Sequence, residues 1–95
     1  MAVTISREMT ITHKDFFRLL PKALKNKEYF ISGRRVTVSQ GECSVNINLS
    51  AETGRQLGAL VVPVIQVEII FTGYSEVDIT RFLQHFDLAY QKGGG

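Results

Sequence analysis

Apolar and polar residues alternate with a period of two along the longest hydrophobic stretch of the chain, Leu60 to Phe71. Ile65, Val67, Ile69 and Phe71 fall on one side, and Val64, Gln66, Glu68 and Ile70 on the other, as the side chains of a β-strand do. Gln66 and Glu68 mark the second side as wet. That favours an antiparallel sheet covered on one face over a parallel sheet buried on both. This segment is therefore read as the central strand. Pro63 has no N–H to give a ladder, so pairing either starts after it or leaves it on an unpaired edge. The same alternation recurs at Val3, Ile5, Met9 and Ile11, where Arg7 interrupts the apolar side. It is clearest at Cys43, Val45, Ile47 and Leu49, set against Ser44, Asn46, Asn48 and Ser50. Tyr29 to Ile31 and Arg35 to Ser39 read as shorter strands. A turn at Gly33-Arg34 joins them and one at Gln40-Gly41 follows, which gives an antiparallel meander.

Two segments change to the helical period. Phe16, Leu19, Leu20, Ala23 and Leu24 follow the i, i+3, i+4, i+7 spacing of one buried stripe. Thr12 is placed to cap that helix, with Asp15 in its first turn. Pro21 predicts a kink or break near Leu20 and an end by Asn26, because it gives no N–H to the Phe17 carbonyl. The second helix begins at Ser75 with Asp78 three residues on, and carries the stripe Ile79, Phe82, Leu83, Phe86 and Tyr90. Residues 51–60 read as a short helix or a loop. Ser50 could cap a helix, but Gly54 and Gly58 would each cost it about 1 kcal/mol relative to alanine. The predicted fold is a two-layer α+β sandwich, in the order β-α-β-β-β-(short helix or loop)-β-α. Both helices lie on one face of a mainly antiparallel sheet.

Ninety-five residues suit a single domain, taken here as 1–92 with a flexible Gly93–Gly95 tail. The three glycines are similar to the tail of ubiquitin-like sulfur carriers, where they follow the last strand; here they follow a helix. No segment reads as a signal peptide or membrane span. With Cys43 the only cysteine, a soluble cytoplasmic protein is expected. The net charge of +2 conceals a split. Residues 1–41 hold eight Lys/Arg against three acids, giving +5. Residues 42–95 hold three against six, giving −3.

Little of the chain points to catalysis. Cys43 falls among inward strand residues and reads as a small hydrophobe. His13 and His85 have neither metal nor triad spacing, and no phosphate loop or dinucleotide fingerprint is present. No catalytic, cofactor-binding or metal-binding residues are assigned. The first functional reading is a non-enzymatic interaction module that associates with itself through the apolar Leu60, Val61, Val62 and Val64, beside an exposed edge at Pro63. The second is a nucleic-acid-binding domain, if Arg18, Lys22, Lys25, Lys27, Arg34 and Arg35 form one patch.

Overall fold

The computed structural model describes residues 2–92, so the expected glycine tail lies outside the described residues. Strand β1 (Ala2–Met9) leads into helix α1 (His13–Ala23). Four strands follow: β2 (Phe30–Ser32), β3 (Arg35–Gln40), β4 (Cys43–Leu49) and β5 (Thr53–Leu57). The long strand β6 (Leu60–Thr72) and helix α2 (Glu76–Lys92) complete the chain. The sheet is antiparallel, ordered β1-β6-β4-β3-β2, with β5 also on β6. It is the predicted α+β sandwich. One core cluster joins the inward residues of β3, β4 and β6 to the stripes of both helices. The outer face is polar and carries cross-strand bonds. Arg35 Nε donates to Asn48 Oδ1, and Asn48 Nδ2 to Glu68 Oε1. No helix among the described residues is long and apolar enough to cross a membrane.

Two expectations are corrected, and of the two readings of Pro63 the unpaired edge holds. Residues 53–57 form neither helix nor loop. They are strand β5, paired with β6 from Thr53↔Val64 to Leu57↔Leu60 around the two-residue turn Gly58-Ala59. Gly58 at φ 61° supplies the left-handed first position that a type II′ hairpin turn needs. Pairing also does not start after Pro63, which sits opposite Gly54. The Gln66 N–H donates to Ser50 Oγ and the Gln66 carbonyl accepts from the Ser50 N–H, so the even residues of β6 face β4 and β5. Odd residues, Pro63 among them, face β1, whose pairing with β6 ends at Met9↔Ile65. The missing N–H therefore points to an unpaired edge and breaks no ladder bond. Lastly, α1 is not broken at Leu20. Pro21 lies in its final turn, and the helix closes with Asn26 N–H on the Pro21 carbonyl (2.8 Å) and Lys25 N–H on the Lys22 carbonyl (3.2 Å). These are the two bonds of a Schellman motif. At the other end of α1, Thr12 caps as predicted, accepting from the Asp15 N–H at 3.1 Å.

β4 and β5 are one strand interrupted by a bulge. Leu49 opposes Val67 and Thr53 opposes Val64, so residues 50–52 face only 65 and 66. Such an insertion bends and twists the strand. The start of α1 holds it in place: the His13 N–H donates to Glu52 Oε1 (2.6 Å), and His13 Nε2 donates to the Ser50 carbonyl (2.7 Å). Beyond the bulge, β5 and the first half of β6 run on as a two-stranded arm, in a molecule measuring 47 × 25 × 23 Å.

Candidate functional site

The sequence-selected residues divide among three places. Leu60 and Val61 lie at the tip of the arm, 68% and 67% exposed, and Leu57 beside them is 54% exposed. Among the described residues nothing covers this apolar tip. Val61 lies flat across the ribbon, its Cγ1 2.9 Å from where a Cβ on residue 54 would sit, so Gly54 is there to admit it. Val62 is half-buried, and Val64 is buried at 3%. Val64 has no surface to offer a partner.

The six basic residues are not brought together. Lys25 and Lys27 follow the end of α1, where Lys27 Nζ reaches Gln40 Oε1 at the end of β3. Arg34 and Arg35 lie at the other end of β3, about 17 Å away at roughly 3.4 Å per residue. Arg35 points to the outer face and is held by Asn48. Arg18 is paired with Asp15 on its own helix (3.3 Å). Lys22 is exposed on α1, and its carbonyl accepts from His85 Nε2 at 3.0 Å.

Two features were not singled out in the sequence. The first is the outer edge of β1. Since the odd residues of β1 exchange bonds with β6, the N–H and C=O groups of Ala2, Thr4, Ser6 and Glu8 point away from the sheet. The one bond to these groups among the described residues runs from Arg7 Nη1 to the Ser6 carbonyl (3.3 Å). Arg7 itself sits on the helix side of this edge and forms an ion pair with Asp87 of α2 (3.3 Å), with no bulge in the strand. Glu8 accepts from Arg55 and from Gln66 Nε2 (3.3 Å), tying β1 to the arm. The Arg55 bond, then the Gln66 bond, holds the Glu8 carboxyl below its ordinary range. Strand alternation was the available signal for the free edge. It became readable only once β6 was known to pair on one side of β1.

The second feature is a cavity of about 400 Å³ at the far end of β6 from the arm tip. The end of α1, the turn before β4 and the first half of α2 enclose it. Lys25, Lys27, Arg81, His85, Tyr74 and Phe82 are on its wall, with Cys43 and Asp78. Cys43 is half-exposed here rather than core, because β4 begins at this open end; its thiol donates to the Gly73 carbonyl (3.3 Å). Desolvation above all raises the Tyr74 hydroxyl above its ordinary value. No group of three or more His, Cys, Asp or Glu side chains able to hold a metal occurs among the described residues. Comparison with family models, with curated proteins and with solved structures finds no match to this chain.

Proposed function

We propose that this protein is a non-enzymatic interaction module whose partner is a second copy of itself, joined along β1. The carrying observation is the open β1 edge: eight residues with four N–H and four C=O groups turned outward. Natural edges of this length are usually blunted by proline, a bulge or several charges. β1 has no proline and an unbroken register, and its charges Arg7 and Glu8 sit near one end. At the far end of the main sheet β2 is only three residues long, and the outer strand of the arm, β5, is five. An antiparallel copy of β1 about a two-fold axis at Ile5 sets Thr4 against Ser6, Val3 against Arg7 and Ala2 against Glu8. No like charges then face each other.

The arm tip supports an interaction role as an auxiliary contact. Three exposed aliphatic side chains amount to a few hundred Å², a common patch size for a monomer, against about 800 Å² per partner in a standard interface. A non-enzymatic role is in keeping with the two histidines, each of which is engaged by a main-chain carbonyl. A single cysteine is in keeping with a cytoplasmic setting. The nucleic-acid reading is the weaker one, because its basic residues occupy separate ends of β3.

Sedimentation equilibrium from micromolar to millimolar concentration tests the proposal. A concentration-dependent dimer is expected for the wild type. Ser6→Pro should be folded and monomeric, because the Ser6 N–H points away from β6 and proline removes no internal bond. A strict monomer throughout would overturn self-association. A folded Ser6→Pro that still dimerises would overturn the β1 interface, and dissociation by Leu60→Asp alone would move it to the arm.

A further inference from the structure

We propose that the cavity between the end of α1 and the first half of α2 binds a small planar phosphomonoester, of which a nucleoside monophosphate is the type. Its charge comes from three cations, Lys25, Lys27 and Arg81, against one carboxylate, Asp78. That excess suits a phosphomonoester, which carries close to two negative charges at neutral pH. Among the described residues, the side chains of Lys25 and Arg81 make no hydrogen bond or ion pair, and Lys27 makes only the long 3.4 Å bond to Gln40. A guanidinium with its whole fork free is suited to bidentate phosphate contact.

The backbone sets the two lysines in place. Lys25 (φ 55°) and Asn26 (φ 61°) are the only non-glycine residues with left-handed backbone among those described, and both belong to the turn that carries Lys25 and Lys27 to the cavity. The two Schellman bonds that close α1 hold this turn in shape. The aromatic wall is fixed as well. Tyr74 and Phe82 both pack on Phe71, with centroids 5.7 and 5.1 Å away, and Phe82 also stacks on Phe86 at 5.9 Å. Buried Ala23 and Leu24 provide an apolar floor. A ring can lie against the aromatic wall while its phosphate meets the cations at the rim. A volume of about 400 Å³ falls within the roughly 300–1,000 Å³ usual for small-molecule sites.

The test uses AMP, with calorimetry and the reaction of Cys43 with a thiol reagent as two readouts. Cys43 is the sole cysteine and lines the cavity. AMP should bind and slow Cys43 modification. Adenosine and inorganic phosphate, each lacking half of the ligand, should bind about tenfold or more weakly, as should AMP to Arg81→Gln or Lys27→Gln, a loss of about 1.4 kcal/mol in each case. Both replaced side chains are exposed, so circular dichroism should be unchanged. Ser6→Pro should bind AMP as the wild type does, which separates this site from the β1 interface. Absence of both heat and Cys43 protection at millimolar AMP would overturn the site, as would binding that survives both substitutions. Tighter binding of a 5′-phosphorylated oligonucleotide that depends on Arg34 and Arg35 would replace it with nucleic-acid recognition.

Discussion

Lys25 occupies the position after the α1 cap where glycine is the usual residue, because only glycine takes left-handed backbone without a steric cost. Lys25→Gly is therefore expected to raise stability by about 1 kcal/mol in chemical denaturation, offset in part by the greater freedom of glycine in the unfolded chain. The aromatic centre of the core is Phe16. It is fully buried and stacks on Tyr90 at 5.0 Å, and the Tyr90 hydroxyl donates to its carbonyl at 2.9 Å. Phe16→Ala should cost roughly 3–5 kcal/mol. Phe82 was placed at the centre of the α2 stripe by its spacing, but it is half-buried and borders the cavity. Phe82→Ala should cost less, about 2 kcal/mol. Spacing gives the side of a helix a residue occupies, but not how deeply its neighbours cover it. For that reason the pattern found Phe86 and Tyr90, missed the buried Ala89, and overstated Phe82. Burial also raises the Tyr90 hydroxyl well above its ordinary value of 10.0. A raised folded value means full stabilisation below the unfolded value and loss as pH rises above about 10. Alkaline unfolding should be steep in the wild type and shallower in Tyr90→Phe.

The arm is the element the sequence concealed. β5 reads Thr-Gly-Arg-Gln-Leu, all exposed, with no alternation to betray a strand. The two glycines of the arm looked like helix breakers because their actual tasks depend on β6: Gly54 makes room for Val61, and Gly58 turns the hairpin. By contrast, β4, β6 and the capped start of α1 were legible, since each buries one side of a regular period. A two-stranded ribbon is marginal by itself, so the arm relies on its ties at the base. Glu8 is one of them, through Arg55 and Gln66. Its lowered folded value means this tie is complete above the ordinary 4.5 and is lost as pH falls through the lower folded value. Hydrogen exchange should show β5 amides losing protection on acidification before those of β4, with Glu8→Gln removing that difference. Slow, pH-independent exchange along β5 would show the arm to be held by something other than this contact.

At the scale of the molecule, β6 connects the two regions of interest. Its thirteen residues span about 40 Å at roughly 3.3 Å per residue, with the apolar tip at one end and the cationic cavity at the other. The cavity was not legible because residues 23–27, 40–43, 74 and 78–85 build it, and no spacing within a sequence records their convergence. The split of charge between the two halves of the chain was plain, but it does not survive folding as two surfaces, since Arg81 joins Lys25 and Lys27 there. The pairing of β1 has a further consequence, during synthesis. Among the described residues the backbone ladder of β1 runs only to residues 65–72, which lie 56 positions on at Met9↔Ile65 and 70 at Ala2↔Thr72. At roughly 5–20 residues per second, the ribosome leaves the first strand without its partner for about 3–14 s. Until β6 emerges, both edges of that strand are open, so two nascent chains on one messenger could meet through it before either has folded.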